Sequence, residues 1–265
     1  MKIALIQTSL FWEDKNKNLQ HFSSIIESQK ENVDVFILPE MFTTGFSMNS
    51  SQLAEKLGDN TTQWMLHTAS KKNACIVGSI ITTDEKNYFN TLLWAYPDGQ
   101  YQYYHKRHLF RMAGEDKYYT AGTKKTIIEY KGIRFLPLIC YDLRFPVWSR
   151  NKIGTPEEYD VLIYVANWPA VRIDAWKKLL DARAIENLSY TIGVNRIGTD
   201  GTGKAYNGQS KAVNFKGDVI TSLEDKDIVK VIEINKQDLI SFREKFPAYL
   251  DADHFEIKTQ SIFSG

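Results

Sequence analysis

The chain has 265 residues, 43% of them hydrophobic and 25% charged, and its formal net charge is +1. This length suits one large domain or two small ones with a sizeable core. The near-zero charge, without a local run of Lys or Arg, excludes a protein dominated by nucleic-acid binding. No segment approaches the roughly 18 apolar residues of a membrane span, and the apolar run at 3–6 is too short for a signal-peptide core. A globular cytoplasmic protein is expected, with neither nucleic acid nor a membrane as its partner.

Strand and helix patterns alternate in the first half of the chain. A helix capped by Asp14 follows the first apolar run, and a second helix begins at Thr61 or Thr62. A turn at 97–99 joins the last two predicted strands into a hairpin. The strands are predicted at 2–7, 33–38, 74–81, 88–96 and 100–104.

The second half shows the same kind of alternation. Lys131 and Gly132 form the turn of a predicted hairpin, and a long helix covers 173–188. Two short strands surround the turn at 216–218, and a last helix begins near Lys236. The other strands are predicted at 126–130, 133–139, 159–165, 190–197 and 229–234.

A weak internal repeat relates the two halves. VDVFILPE at 33–40 resembles YDVLIYVA at 159–166, and KIALIQ at 2–7 resembles IRFLPLIC at 133–140. Any α/β protein gives some matches of this kind, but CIVGS with TIGVN and LLWAYPDGQ with KAVNFKGDV continue them in the same order. The repeat predicts an α/β fold of two similar halves packed in layers around a shared core. Since no linker separates the halves, a single domain over 1–265 is expected.

Three ionisable side chains each follow a predicted strand. Glu40 comes after VFILP, Lys106 after the aromatic hairpin strand, and Cys140 after LPLI. Ligands bind outside such strand ends in open α/β sheets, so the three groups are expected to converge. A carboxylate can take the proton of a thiol as the sulfur attacks an amide carbon. An ammonium and a backbone N–H, here that of Tyr141, can stabilise the negative charge that develops.

Taken singly, each of these residues could also be non-catalytic. Glu40 could cap a helix, Lys106 could be a solvated charge, and Cys140 could pack in the core as free cysteines often do. His105 and His108 flank the lysine, which leaves open a hydrolase that pairs Cys140 with a histidine. Neither the five histidines nor the cysteines Cys75 and Cys140 have the spacing of a metal site. Proton transfer and covalent catalysis suffice for this chemistry, so no metal or organic cofactor is predicted.

The segments around these residues resemble the signatures of the nitrilase, or carbon–nitrogen hydrolase, superfamily. The resemblance implies a four-layer αββα sandwich with two pseudo-symmetric halves. It also implies Glu40 as the base, Lys106 as the transition-state stabiliser and Cys140 as the nucleophile. Glu115 matches a second glutamate that positions substrate in many members, the alternative being a solvated loop acid. The matching segments are LPEMF at 38–42, HKRHLF at 105–110, CYDLRFP at 140–146, ANWP at 166–169 and RAIEN at 183–187.

Within the superfamily, the segments at 140–151, 164–169 and 244–253 resemble those of bacterial omega-amidases. That resemblance implies hydrolysis of the terminal amide of 2-oxoglutaramate and 2-oxosuccinamate through a cysteine thioester. Alternatives are an amidase for deaminated glutathione or N-carbamoyl amino acids, and a non-catalytic binding protein on the same fold. Family members are usually dimers or larger. A homodimer or higher homo-oligomer is therefore expected, with the tail from about 246 packing on a partner subunit.

Three further residues are candidates for contacts with a small amide substrate. The carboxylate of a 2-oxo acid requires a cation, and Arg144 lies close to Cys140. A structural ion pair is the alternative for Arg144. Phe46 and Trp168 could form the walls of a small pocket or pack in the core.

A glycine-rich segment, GTDGTGKA at 198–205, fits the pattern of a phosphate-binding loop. Ala205 stands where that loop needs a hydroxyl residue, and the following YNGQS is a poor helix former. The segment is therefore predicted to be a glycine-rich hairpin or loop.

Overall fold

The computed structural model describes residues 1–258, in which two six-stranded sheets lie face to face and helices cover their outer faces. The strands are β1 (Lys2–Gln7), β2 (Val35–Ile37), β3 (Cys75–Thr83), β4 (Tyr88–Ala95), β5 (Tyr101–His105), β6 (Ile128–Tyr130), β7 (Ile133–Ile139), β8 (Val161–Ala166), β9 (Tyr190–Asn195), β10 (Ile197–Thr199), β11 (Ala205–Asn207), β12 (Lys211–Val213), β13 (Val219–Ser222) and β14 (Ile228–Glu233). The helices are α1 (Lys15–Ser28), α2 (Ser50–Leu53), α3 (Asn60–Lys72), α4 (Pro146–Ser149), α5 (Ile173–Asn187) and α6 (Lys236–Lys245).

The two large sheets have the same topology, which confirms the predicted repeat. In the first, β1, β2 and β3 are parallel, and β4 and β5 continue the sheet antiparallel. In the second, β7, β8, β9, β12 and β13 occupy the same places with the same directions. Each sheet gains one antiparallel edge strand, β14 beside β1 and β6 beside β7. The matched segments of the sequence repeat therefore fall on equivalent strands.

The main core lies between the sheets. Trp94 of β4 and Phe135 of β7 face each other with ring centroids 4.8 Å apart, which joins the two sheets directly. On the outer face of the first sheet, Phe22 of α1 and Met65 of α3 belong to a second buried cluster with apolar residues of β1, β3 and β4. A sheet that is covered on both faces requires nearly continuous apolar strands, and these apolar runs allowed the strands to be predicted from the sequence. These layers confirm the predicted four-layer αββα sandwich.

On the second sheet, α5 approaches the strands closely at Gly193 of β9. A Cβ atom on Gly193 would lie 2.6 Å from the ring of Trp176, a separation that real Cβ atoms do not show. Glycine is therefore required there for α5 to pack on the sheet.

Most predicted elements are present with small shifts at their ends. Asp14 caps α1, since its Oδ1 accepts the N–H of Lys17 at 3.0 Å. The predicted strand at 33–38 forms ladder pairs only over β2, and α3 begins one residue before Thr61. The helices α2 and α4 were missed because four residues are too few to show a helical period. Within residues 1–258, no helix has the length and apolar character that crossing a membrane requires.

Candidate active site

Side chains that follow four strands meet at one edge of the sandwich. Glu40 follows β2, Lys106 follows β5, Cys140 follows β7 and Asn167 follows β8. β2 is parallel to β1 in the first sheet and β7 is parallel to β8 in the second, and ligands are expected outside the carboxyl ends of such strands. The structure thus brings together the three ionisable groups that the sequence singled out.

Glu40 is held rigidly in a fully buried position. Its Oε1 accepts from Lys106 Nζ at 2.9 Å and from Asn90 Nδ2 at 2.8 Å, and its Oε2 accepts the backbone N–H of Asn167 at 2.8 Å. Asn167 Nδ2 also donates to the backbone oxygen of Glu40 at 2.6 Å. Glu40 is therefore not a helix cap, and its carboxylate has a fixed orientation.

Lys106 lies between two buried carboxylates. Its Nζ donates to Glu40 at 2.9 Å and to both oxygens of Glu115 at 2.9 and 3.0 Å, and it lies 5.1 Å from the ring centre of Phe46. Burial by itself would lower the pKa of Lys106, but Glu115 and Glu40 outweigh burial and raise it. Lys106 is fully buried, so it is not a solvated surface residue. Since its pKa is raised, its amine stays charged, and Lys106 is a fixed buried cation.

Glu115 is fully buried, so it is not a solvated loop acid. The backbone N–H of Phe110 donates to its Oε2 at 2.5 Å. Burial raises the pKa of the Glu115 carboxyl, against the opposing attraction of Lys106. Glu115 therefore holds the lysine ammonium together with Glu40.

Cys140 begins a tight 3-10 turn over Cys140–Arg144 and has a left-handed backbone conformation with φ of +42°. Such a conformation is costly for a residue with a side chain, so the surroundings must enforce it. The residue is 9% exposed and lines a pocket together with Glu40 and Lys106. Burial, and then the neighbouring Glu40 carboxylate, raise the pKa of the Cys140 thiol well above its ordinary value. The sulfur therefore carries its proton in the free protein.

The buried Asp142 carboxylate holds this turn in place. Its Oδ2 accepts the backbone N–H of Ile139 at 3.1 Å and the hydroxyl of Tyr104 at 2.8 Å. Its Oδ1 accepts the backbone N–H of His108 at 3.0 Å and lies 2.8 Å from His108 Nδ1. Asp142 thereby ties the Cys140 turn to the segment that follows Lys106. Its position two residues after Cys140 was the only signal in the sequence, and its contacts with Tyr104 and His108 join residues that are 38 and 34 positions apart.

We expect Asp142→Asn to lower the free energy of unfolding by about 2–4 kcal/mol, because an amide nitrogen would face donors that now bind a carboxylate oxygen. Urea unfolding measures this loss. Asp218→Asn is the matched control, since Asp218 lies in an exposed turn and its side chain accepts from Asn214 at 3.0 Å. A loss at position 142 no larger than at 218 would contradict the structural role of Asp142.

A pocket of about 430 Å³, including its open mouth, leads to Cys140. The candidates Phe46, Tyr141, Arg144 and Trp168 all line it. The backbone N–H of Tyr141 is at the start of the 3-10 turn, where N–H groups have no partner within the turn. The lining also includes residues that the sequence reasoning missed: Phe110, Asn167, Pro169, Arg172, Lys204 and Tyr206.

Arg144 and Trp168 form one wall as a stacked pair. The guanidinium carbon of Arg144 lies 5.0 Å from the ring centre of Trp168, and within residues 1–258 the arginine forms no salt bridge. The alternative of a structural ion pair is therefore wrong for the described chain. Trp168 also packs on Trp176 at 5.4 Å, so it belongs both to the core and to the pocket wall.

The two histidines beside Lys106 are packed away from the pocket. The His105 ring stacks on Phe89 at 4.2 Å, and burial lowers its pKa to about 4. The His108 ring stacks on Phe145 at 3.7 Å and contacts Asp142. Among the residues that the structure describes, neither lines the pocket at Cys140, which disfavours a Cys–His pair. Within the same part of the chain, no group of three or more His, Cys, Asp or Glu could hold a metal ion.

The fold and this pocket together define a class of protein, the nitrilase-like αββα hydrolases. The family model described as carbon-nitrogen hydrolase matches residues 2–244. The chain belongs to the carbon–nitrogen hydrolase family, which confirms both the resemblance drawn from the sequence and the expected enzyme class.

Similar proteins agree with this membership over nearly their whole lengths. The chain is 45% identical to omega-amidase YafV of Escherichia coli over 260 residues, covering 97% of this chain and 98% of that protein. It is 32% identical to the 2-oxoglutaramate amidase of Bacillus subtilis, covering 94% and 96%. The crystal structure of XC1258 from Xanthomonas campestris, a CN-hydrolase superfamily protein with an arsenic adduct in its active site, superposes with a TM-score of 0.94. That protein is 41% identical, and the match covers 97% of this chain and 98% of the other.

Proposed function

We propose that this protein hydrolyses the terminal amide of small 2-oxo dicarboxylic acid monoamides, with 2-oxoglutaramate and 2-oxosuccinamate as substrates. The observation that carries the proposal is the shared pocket of the Cys140 thiol, the Glu40 carboxylate and the Lys106 ammonium. The bacterial relatives named omega-amidase and 2-oxoglutaramate amidase support this choice of substrate.

In the proposed reaction, the Cys140 sulfur attacks the amide carbon while Glu40 takes the thiol proton. The raised pKa of the thiol makes this base necessary, because little thiolate exists beforehand. Lys106 and the Tyr141 N–H stabilise the oxyanion of the tetrahedral intermediate. The carbon–nitrogen bond then breaks, the nitrogen takes the proton from Glu40, and ammonia leaves an acyl thioester on Cys140.

The second half of the reaction regenerates the enzyme. Glu40 removes a proton from a water molecule, whose oxygen attacks the thioester carbon. The carbon–sulfur bond breaks, the proton returns to the Cys140 sulfur, and the 2-oxo acid leaves. Glu115 acts through Lys106, which it holds in position at 2.9 Å.

At the outer wall of the pocket, Arg144 binds the substrate carboxylate. An arginine is well suited to this task because its planar fork of donors matches two carboxylate oxygens. The contact with Trp168, 5.0 Å from the guanidinium carbon to the ring centre, holds the guanidinium at the pocket wall. Phe46 and Trp168 enclose the short carbon chain between the two ends of the substrate.

Ammonia release from a panel of amides tests the proposed function. We expect the highest kcat/KM with 2-oxoglutaramate or 2-oxosuccinamate, compared with deaminated glutathione and N-carbamoyl amino acids. A higher value for either of the latter would contradict the proposed substrate class, and absence of hydrolysis of every amide would contradict the enzymatic role.

The single domain over 1–265, the cytoplasmic location and the homodimer or larger assembly stay predictions. The segment at 246–255 carries the exposed apolar side chains Phe246 and Leu250, which we propose pack on a partner subunit. Light scattering of the purified protein measures the assembly. Residues 259–265 of the predicted tail lie outside the described chain.

A further inference from the structure

We infer that Lys204, in the turn between β10 and β11, binds the substrate carboxylate together with Arg144 and gives the site its preference for anionic amides. This inference rests on the proposed amidase function and concerns the end of the substrate farther from Cys140. It gives a role to the glycine-rich segment at 198–205, which forms a separate two-stranded hairpin.

The charges that line the pocket favour an anionic ligand. Four cationic side chains and one carboxylate line it, namely Lys106, Arg144, Arg172, Lys204 and Glu40. Lys106 is already neutralised by Glu40 and Glu115. The three other cations form no salt bridge within residues 1–258, so the outer part of the pocket has an uncompensated positive charge that attracts a carboxylate.

Burial shows which end of a substrate meets which group. Glu40 and Lys106 are 0% and 1% exposed and form the floor, Cys140 is 9% exposed, and Lys204 is exposed. An amide that reaches the Cys140 sulfur must therefore extend its other end toward the mouth. Lys204 lies at that outer end, where the carboxylate of a monoamide would lie.

A buried aspartate fixes the backbone that carries Lys204. Asp200 Oδ1 accepts the backbone N–H of Lys204 at 3.0 Å, and the backbone N–H and hydroxyl of Thr202 at 2.8 and 2.7 Å. Its Oδ2 accepts the hydroxyl of Tyr206 at 2.8 Å. The turn is thus ordered by its own hydrogen bonds, so ordering it adds little entropic cost when a ligand binds.

A buried arginine anchors the base of the same hairpin. The Arg196 side chain is fully buried, its Nε donates to the backbone oxygen of Ile197 at 3.0 Å, and its guanidinium lies 4.8 Å from the ring centre of Tyr206. Tyr206 in turn lines the pocket beside Lys204. The hairpin therefore presents Lys204 to the pocket from a rigid support.

Lys204 differs from the two arginines in what else it contacts. The guanidinium of Arg144 stacks on Trp168, and that of Arg172 lies 5.5 Å from the ring centre of Phe110 and donates to the Met112 sulfur at 3.0 Å. Within residues 1–258 the Lys204 ammonium has no hydrogen-bond or ion-pair partner, and its long side chain can follow the carboxylate. Arg144 then orients the carboxylate, and Lys204 supplies a second charge.

Binding and turnover by variants at position 204 test this inference. In the inactive Cys140→Ala background, calorimetry compares 2-oxoglutaramate with the neutral amide 4-oxopentanamide, which lacks the carboxylate. We expect Lys204→Met to weaken binding of 2-oxoglutaramate by about ten- to a hundredfold and binding of the neutral amide by less than about twofold. In the active enzyme, the same substitution raises KM for 2-oxoglutaramate and changes kcat little, and Lys204→Arg restores most of the affinity.

Lys216→Met is the matched control, because it removes the same charge from another hairpin turn that does not line the pocket. Equal losses for both ligands, unchanged binding of 2-oxoglutaramate, or an equal effect of Lys216→Met would each overturn the inference. No binding of 2-oxoglutaramate when Lys204 is intact would overturn it as well. A different result would contradict the proposed amidase function itself: the active enzyme, with Lys204 present, would release no ammonia from 2-oxoglutaramate.

Discussion

Cys140→Ala is expected to lower kcat for ammonia release from 2-oxoglutaramate by about 10⁴-fold or more while the fold is retained. The thioester cannot form without the sulfur, and Glu40 alone would have to direct water onto an unactivated amide. The fold is expected to survive because alanine keeps the backbone of the Cys140 turn, which Asp142 holds through its own hydrogen bonds. Circular dichroism and urea unfolding measure the fold, and an ammonia assay measures the loss.

The second cysteine provides the matched control. Cys75 lies in β3, faces the core between the sheets and is fully buried. We expect Cys75→Ala to keep kcat within about twofold and to lower the free energy of unfolding by about 1–2 kcal/mol, since it only leaves a small cavity. If Cys140→Ala kept turnover within tenfold of the wild type, the assignment of the nucleophile would be wrong.

Iodoacetamide gives an independent measurement of the same assignment. Cys140 opens into the pocket beside a base, whereas burial raises the pKa of Cys75 to about 12 and no solvent reaches its sulfur. We therefore expect one alkylated cysteine in the native protein, at position 140, and loss of activity in step with alkylation.

The sequence predicted the sheets well because burial on both faces requires apolar strands, and such runs are visible without knowledge of the fold. The repeat then predicted which strands are equivalent, as β2 and β8 show. Glu40, Lys106 and Cys140 were recognisable because each follows a strand within a distinctive local segment.

Contacts made by loops distant in sequence could not be predicted in this way. The backbone N–H of Asn167 reaches Glu40 across 127 residues, and no periodicity encodes that contact. Glu115 lies in the polar segment RMAGEDKYY, which is typical of a solvated loop, yet Lys106 and the Phe110 N–H allow it to be buried. Lys204 was hidden in a segment whose glycines indicated only a turn, because its relation to the pocket depends on how the hairpin packs.

Lys106→Met is expected to lower the free energy of unfolding at pH 7 by about 3–5 kcal/mol and to abolish turnover. The substitution removes the only cation that contacts Glu40 and Glu115 among the described residues, and it leaves two buried carboxylates beside each other. Lys125→Met is the matched control, because Lys125 is also mostly buried but pairs at 3.2 Å with the partly exposed Glu157. Lys125→Met should lower the free energy of unfolding by at most about 1 kcal/mol. An equal decrease for the two variants would contradict the central role of Lys106.

The pH dependence of the Lys106→Met variant identifies the cause of its instability. Without the ammonium, burial and repulsion by the Glu40 carboxylate raise the pKa of the Glu115 carboxyl in the folded state further above the unfolded value of about 4.3. The folded variant then binds more protons than the unfolded chain, so its stability increases as the pH falls from 7 toward 5. In the wild type the raised pKa of Lys106 acts at the alkaline end: its contribution to stability is complete below the unfolded pKa of about 10.4 and is lost as the pH rises from there through the higher folded-state pKa.

Combining Lys106→Met with Glu115→Gln separates charge repulsion from lost packing. The neutral amide removes one of the two carboxylates, so the double variant should be more stable at pH 7 than Lys106→Met and less dependent on pH. Turnover should not return, because the proposed oxyanion stabiliser is still absent. If the two substitutions destabilised additively instead, Glu115 would not be the partner that makes the loss of Lys106 costly. Recovery of stability without recovery of activity would show that one ammonium both holds the buried carboxylates together and serves the reaction.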